Sequence, residues 1–217
     1  MNYDLFDLSN NGDTWTEEIC KDALVLRQFA VAQAPELMQA VTEVTTQAPF
    51  RHMQTPGGYT MSASLSSCGS MGWVSDRVGY RYSSHDPQSK QPWPAMPEIL
   101  SKLATEAAEA AGYHRFYPDA CLINRYTPGA KMSLHQDRNE RDYDAPIVSV
   151  SLGVPATFLF GGMQRGDKTI KVPLAHGDVV VWGGESRLKF HGILPIKAGY
   201  HSLTGEDRIN ITFRVAG

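Results

Sequence analysis

The sequence contains no long apolar run. None approaches the roughly 20 residues that a membrane-crossing helix needs, and the first residues, Met1-Asn-Tyr-Asp-Leu-Phe-Asp7, carry neither the basic region nor the apolar stretch of a secretory leader. Cytoplasmic residence is the expectation. Cysteine is scarce: Cys20, Cys68 and Cys121 are odd in number, widely spaced and without a C-x-x-C pair, which argues against a disulfide framework and a structural zinc site. Reduced thiols are expected, with Cys121 in the core. Excess positive charge is missing too, since a formal net charge of -3 does not suit a protein that coats nucleic acid through bulk electrostatics. Any nucleic-acid contact must come from a local basic patch. What is present is the mixture of a globular chain, 42% hydrophobic and 20% charged without low-complexity tracts. At 217 residues it sits near the upper end of one domain, long enough to bury a substantial core.

Residues 1–18 are polar and pattern-poor and read as a flexible N-terminal arm, leaving 19–217 as a single domain. Two helices are predicted. The first runs from Pro35 to about Gln47, with Leu37, Val41 and Val44 at helical spacing; the second runs from Pro97 to Ala111, with Ile99, Leu100, Leu103 and Ala107 apolar and Gly112 as a stop. Between them, 50–95 is a mixture of glycine, proline and rings, including Trp73 and Tyr80-Arg-Tyr82, that suits a covering flap. From 119 onward the pattern is β, with short strand-like runs at 119–126, 147–152, 156–160, 169–174, 178–182 and 208–215 and a hairpin loop from Gly161-Gly162 to Lys168. The predicted architecture is mainly β with flanking helices, its core a jelly roll of which the double-stranded β-helix is one form.

Chemistry concentrates in the same half. His135-Gln-Asp137 sets an imidazole and a carboxylate on one side of an extended segment, because side chains alternate with period two. His-x-Asp is a weak motif, and His176-Gly-Asp178 repeats it. The second copy lies between strand-like runs where Gly-Asp reads as a turn. The first is surrounded by polar residues, and four strand-like runs separate it from His191, enough chain to travel around a barrel and return a third ligand. Two imidazoles and one carboxylate suit a non-haem Fe(II) site with open positions. Downstream, Arg208, Asn210, Thr212 and Arg214 alternate with Ile209, Ile211, Phe213 and Val215, so one strand face carries two cations and two hydrogen-bonders. A polar face turned to solvent is the plain alternative. Two arginines so soon after a candidate ligand favour an inward face that holds an anionic co-substrate, and Asn124 and Tyr126 share a face that can complete the same pocket.

These residues, His135-x-Asp137, His191 and Arg208-x-Asn210-x-Thr212-x-Arg214, resemble the AlkB family of Fe(II) and 2-oxoglutarate-dependent dioxygenases. The likeness extends to Thr55-Pro-Gly-Gly-Tyr-Thr-Met61, Pro118-Asp-Ala-Cys-Leu-Ile-Asn-Arg-Tyr126, Pro146-Ile-Val-Ser-Val-Ser-Leu-Gly153 and His176-Gly-Asp-Val-Val-Val-Trp-Gly-Gly-Glu-Ser-Arg187. The resemblance implies iron held by His135, Asp137 and His191, and 2-oxoglutarate held among Asn124, Arg125, Tyr126, Arg208, Asn210, Thr212 and Arg214, with Arg208 on the remote carboxylate and Arg214 nearer the metal. It further implies that O2 and 2-oxoglutarate are consumed to demethylate alkylated bases in DNA, with RNA as a further substrate class, releasing succinate, CO2 and formaldehyde as direct repair. The base has to be single-stranded or flipped out to reach the metal. By the same resemblance Trp73 and His135 would sandwich it, while Tyr80, Arg81, Tyr82, Asn139 and Arg165 line the nucleotide surface. Apart from the resemblance, Lys131, Arg138, Arg51 and Arg77 are candidate phosphate contacts, since half or more of such contacts go to the backbone. A monomer is expected. One residue departs from the pattern: where the well-known bacterial member carries an aspartate two positions after the iron-binding carboxylate, this chain has Asn139, then the retained Glu140. The rival readings are an oxygenase acting on a protein side chain or small metabolite, and a jelly-roll binding module without activity.

Overall fold

The computed structural model describes residues 14–217. Its elements are β1 (Trp15–Cys20), β2 (Ala23–Arg27), α1 (Ala34–Gln47), β3 (Ser64–Gly69), β4 (Gly72–Asp76), β5 (Gly79–Ser83), α2 (Glu98–Ala110), β6 (Ala120–Tyr126), β7 (Met132–His135), β8 (Ile147–Gly153), β9 (Ala156–Phe160), β10 (Ile170–Leu174), β11 (Val179–Trp182), β12 (His191–Ile193) and β13 (Arg208–Arg214). The expected arm over 1–18 needs correction at its end. Residues 1–13 lie outside the described residues, but Trp15–Glu18 belong to β1 and pair antiparallel with β2. Exposed side chains hid that strand from a hydrophobic pattern, because an edge ribbon needs only backbone partners.

Seven strands in the order β1-β2-β11-β8-β13-β6-β3 form the larger sheet, and β10-β9-β12-β7 form the smaller one. The β4–β5 hairpin stands apart. All these pairings are antiparallel. Between the two sheets lies a core of Val25, Ile147, Phe158, Phe160, Val180 and Trp182. Mainly β with flanking helices, the fold is the jelly roll expected from the short strands and glycine-rich turns.

The helices cover the other face of the larger sheet. Leu37, Val41 and Val44 of α1 and Leu100, Leu103 and Ala107 of α2 recur at helical spacing and bury against Ile123, Val150, Ile211 and Phe213. Each fully buried leucine contributes about 1.5–3 kcal/mol. Gly112, in the left-handed conformation at φ +86°, ends α2. With one face under helices and the other toward the smaller sheet, every residue of β13 is buried. The sequence pattern that distinguishes an apolar face from a polar one thus becomes a division between a helix-covered side and the barrel interior.

The second His-x-Asp serves as turn scaffolding. Asp178 accepts from the Gln28 and Ala175 amides at 3.0 and 2.9 Å and from Arg27 Nη1 at 2.6 Å, while Gly177 takes φ +84° where a Cβ would meet Val31. His176 Nδ1 accepts the Gly153 amide at 3.0 Å. Burial and the stacked ring of His201 push His176 from 6.5 down to about 4. A depressed folded-state value means stability that is complete above about 6.5 and declines as pH falls toward 4. His176→Asn keeps an acceptor for Gly153 but does not titrate. Melting curves from pH 7 to 4.5 should show a smaller acid loss in that variant; equal loss in both proteins would contradict this assignment.

Candidate metal centre and nucleotide cleft

Three side chains from separate parts of the chain converge where the smaller sheet meets β13. His135 closes β7, His191 opens β12, and the strand register makes the two cross-strand partners. Asp137 follows two residues beyond the end of β7. Among the described residues this is the one group of three or more such side chains whose ligand atoms all lie within 4.8 Å of one another. Asp137 Oδ1 is 3.8 Å from His135 Nε2, and Oδ2 is 3.8 Å from His191 Nε2. Tautomers follow from the hydrogen bonds. His135 Nδ1 lies 2.9 Å from the Ser133 carbonyl and His191 Nδ1 lies 3.0 Å from that of Lys189; a carbonyl only accepts, so both Nδ1 atoms carry the proton and both Nε2 lone pairs face the metal position.

The charges favour the same state. Burial opposes ionisation of Asp137, but Arg214 and the two histidines outweigh it, holding the carboxyl well below the usual carboxylate range. Arg214 donates to Asp137 Oδ2 from Nε at 2.9 Å and from Nη2 at 2.6 Å. Burial and the neighbouring His135 push His191 down to about 3, against the attraction of Asp137. Two imidazoles that turn their Nε2 atoms inward and one ionised carboxylate make the donor set of a facial Fe(II) site.

Beside it a narrow cavity of about 50 Å³ reaches into the barrel, lined by Asn124, Tyr126, Arg208, Asn210, Thr212 and Arg214 with both histidines. Asn210 donates to Ser149 Oγ and the Val150 carbonyl at 2.8 and 2.9 Å, and its oxygen receives Thr212 and Asn124 at 3.0 and 3.3 Å. Arg208 is 1% exposed, stands 5.2 Å over the Tyr126 ring and donates to Ser151 Oγ at 3.0 Å. Its Nε and Nη1 have no partner. A buried guanidinium with two unsatisfied donors calls for an anion with two oxygens, and a dicarboxylate fits that requirement. Arg214 lies at the Asp137 end of β13 and Arg208 at the other.

Arg125 does not belong to this set. It projects from the opposite face of β6, donates to Ser64 Oγ at 3.2 Å and covers the Phe50 ring at 4.9 Å. Adjacency to Asn124 and Tyr126 misled, because adjacent strand residues point to opposite faces. Ser149 and Ser151, which hold Asn210 and Arg208, went unassigned. Their signal was the alternation in Ile147-Val-Ser-Val-Ser-Leu152, a polar face opposite that of β13.

A wider cleft of about 650 Å³ opens onto the ligands between the β4–β5 hairpin and the Met132–Asn139 segment. Trp73 and Tyr80 line it with rings stacked at 5.7 Å and 17°. Asn139, Arg165, Lys131 and Arg138 line it too. Arg165 donates to the Leu134 carbonyl and covers the Phe190 ring at 5.1 Å. Arg77 is exposed at the hairpin tip. Three expected contacts are placed elsewhere. Arg81 turns to the other face of β5 and pairs with Asp76 at 2.7 and 2.9 Å; Arg51 is held by Asp86 and the Trp93 ring. Tyr82 passes beneath the cleft, its hydroxyl donating to Glu140 at 2.6 Å.

Residues 22–214 match the family described as the 2OG-Fe(II) oxygenase superfamily. The chain is 56% identical over 213 residues to the alpha-ketoglutarate-dependent dioxygenase AlkB of Escherichia coli K12, covering 98% of this chain and 99% of that one. This protein belongs to the AlkB family of 2OG-Fe(II) oxygenases. A solved structure described as that of OsALKBH1 superposes on this oxygenase with a TM-score of 0.80 at 28% identity, covering 92% of this chain and 99% of that one. The human nucleic acid dioxygenase ALKBH1 is 33% identical over 122 residues, 56% of this chain and 31% of its own. As an alpha-ketoglutarate-dependent dioxygenase, the protein uses Fe(II), 2-oxoglutarate and O2, and the donor set and the orphaned Arg208 donors accommodate the first two.

Proposed function

We propose that this oxygenase removes methyl groups from N-alkylated bases of the 1-methyladenine and 3-methylcytosine type in DNA, with RNA as a further substrate, and so repairs alkylation damage directly. The observation that carries the reading is the cleft itself: His135 and Asp137 of the ligand triad line it, and its wall is the Trp73–Tyr80 stack, flanked by cationic side chains. A purine or pyrimidine is a flat apolar ring joined to an anion. Aromatic faces hold the ring, each stacked base contributing about 1–3 kcal/mol, while Lys131, Arg138 and Arg165 meet phosphates. In a protein of net charge -3 this local patch supplies the attraction, which should weaken with salt.

His135, Asp137 and His191 would hold the iron, and Arg208, Asn210, Tyr126 and Asn124 the co-substrate. When bound, the iron and 2-oxoglutarate would supply the oxidation of the methyl carbon by O2, with 2-oxoglutarate leaving as succinate and CO2 and the N-hydroxymethyl group lost as formaldehyde, which leaves the unmethylated base in its strand. The protein's part is to position and exclude. The two backbone carbonyls fix both imidazoles, Arg214 keeps Asp137 ionised, and Arg208 sets the depth of the dicarboxylate. Because the cleft reaches the metal position through His135 and Asp137, a base paired within a duplex does not reach it, and a flipped or single-stranded base does. Every residue of the site comes from one chain, so a monomer suffices. Cys68 and Cys121 are cross-strand partners yet both free thiols, which accords with action in the reducing cytoplasm; among the described residues no helix is long and apolar enough to cross a membrane.

Asn139 shapes the preference among lesions. Its Nδ2 lies 3.5 Å from the Tyr80 carbonyl, leaving a neutral oxygen for the base. Hydrogen bonds to charged groups contribute about 1.5–3 kcal/mol against about 1 kcal/mol for neutral ones, so the bias toward cationic lesions should be softer than an aspartate would impose. The test is formaldehyde release from single-stranded DNA carrying 1-methyladenine or 1-methylguanine, with Fe(II), 2-oxoglutarate and ascorbate. Release from 1-methyladenine and a rise in its kcat/KM relative to 1-methylguanine in Asn139→Asp are expected. No release, or succinate formation driven equally by peptides, would sink the reading; an unchanged ratio would sink the role of Asn139.

A further inference from the structure

Asp137 is gripped at both ends. Its carboxylate takes the Arg214 fork, and its main-chain carbonyl accepts from Arg187 Nη1 at 2.8 Å. Arg187 also donates through Nε to the Ala145 carbonyl at 3.0 Å, so it spans the loop that follows the ligand. The two arginines meet at one side chain: Glu140, with 1% of its side chain exposed, has Oε1 3.5 Å from Arg214 Nε and Oε2 3.3 Å from Arg187 Nη2. The hydroxyl of Tyr82 donates to the same Oε1 at 2.6 Å. Tyr82 lies on β5, in a hairpin that shares no sheet with β7, β12 or β13. Its ring faces the same side of the hairpin as Trp73 and Tyr80, the residues that wall the cleft.

We propose that Tyr82 and Glu140 are positioning residues that couple the nucleotide-binding hairpin to the metal-binding carboxylate. The inference rests on the iron-site reading above. Arg214 is buried and shared between two carboxylates that are themselves largely buried. The Tyr82 hydroxyl on Oε1 and the Arg187 charge 3.3 Å from Oε2, an oxygen that accepts no hydrogen bond, hold Glu140 without drawing Arg214 away, and Arg214 keeps Nε and Nη2 on Asp137 Oδ2. That leaves Oδ1 as the free oxygen on the side of His135. Without the hydroxyl, Glu140 competes for Arg214, and the Asp137 carboxylate is free to rotate. Coupling of this kind is reciprocal: whatever seats the hairpin steadies the ligand, and metal on the ligand steadies the hairpin.

The test is Co(II) titration of the full chain, followed by visible absorption, in the native protein, Tyr82→Phe, Glu140→Gln and the double variant. Loss of an outer partner of a metal ligand commonly weakens binding about 10–100-fold, so Glu140→Gln should weaken Co(II) binding about tenfold. Tyr82→Phe, one step further out, should weaken it about fivefold, with the double variant no weaker than Glu140→Gln alone, as for residues in one network. The Co(II) band should shift in both single variants, which a purely structural role would not produce. Native affinity and an unchanged band in Tyr82→Phe, or effects that add, would overturn the proposal. If Glu140→Gln does not fold, Tyr82→Phe decides alone, since it keeps the ring. A native chain that fails to bind Co(II) sinks the iron site itself; binding that is indifferent to Tyr82 sinks only the coupling.

Discussion

Asp137→Ala should lose metal binding and turnover together, with kcat/KM down by more than about a thousandfold, which corresponds to about 4 kcal/mol. The carboxylate is the sole anionic ligand of the triad and the acceptor of both Arg214 donors. Two neutral imidazoles alone hold a divalent cation poorly, because no ligand charge offsets its lost hydration. Stability should suffer as well. Removing one member of a buried ion pair commonly costs about 3–5 kcal/mol, and Arg214, 5% exposed, would retain only Glu140 at 3.5 Å. Asp137→Asn separates the two effects: it preserves shape and one acceptor, so it should melt closer to the native protein while binding Co(II) no better than the alanine variant. Parallel melting and metal titration check this. Wild-type Co(II) affinity in either variant would remove Asp137 from the ligand set.

Arg208→Met should raise KM for 2-oxoglutarate by about 100-fold or more, the effect of leaving one carboxylate of a buried charged pair unmatched, about 3 kcal/mol. Co(II) affinity without the co-substrate should stay at the native value, since Arg208 lies at the far end of β13 from Asp137. The same change should not lower the melting temperature of the ligand-free protein. Arg208 is buried with two unsatisfied donors, burial depresses its basicity, and a methionine of similar length removes that cost. Saturating 2-oxoglutarate should raise the melting temperature of the native protein and leave that of the variant unmoved. Arg208→Lys should fall between the two, because a lysine restores the charge but not the two-pronged geometry. A native KM in Arg208→Met, or thermal stabilisation of that variant by 2-oxoglutarate, would place the remote carboxylate elsewhere.

The elements that were legible in the sequence are those whose signal is local. Both helices announced themselves through apolar spacing, a leading proline and Gly112, and the six strand-like runs after 119 correspond to β6, β8, β9, β10, β11 and β13. The two short strands that carry the ligands, β7 and β12, were not foreseen as strands. Four residues in one and three in the other hold too few alternations to show a period, and their pairing exists only because the smaller sheet brings them together. The same applies to β1 and β2, whose edge position frees β1 from any apolar pattern.

At the site, the sequence alone determined the ligand types, the choice between two His-x-Asp copies and the single polar face of Arg208, Asn210, Thr212 and Arg214. All three depend on chain-neighbour chemistry, which alternation and turn residues express directly. Only the tertiary structure decided which way each face points and what lies behind it. It turned β13 inward by covering its apolar side with helices, and it moved Arg125 and Arg81 away from the pockets through strand parity. It also joined Tyr82, Glu140 and Arg187 into a buried cluster around Asp137. Those outcomes depend on contacts between segments far apart in the chain, and a burial pattern written along one strand does not say whether the opposite surface is solvent, a helix or a ligand.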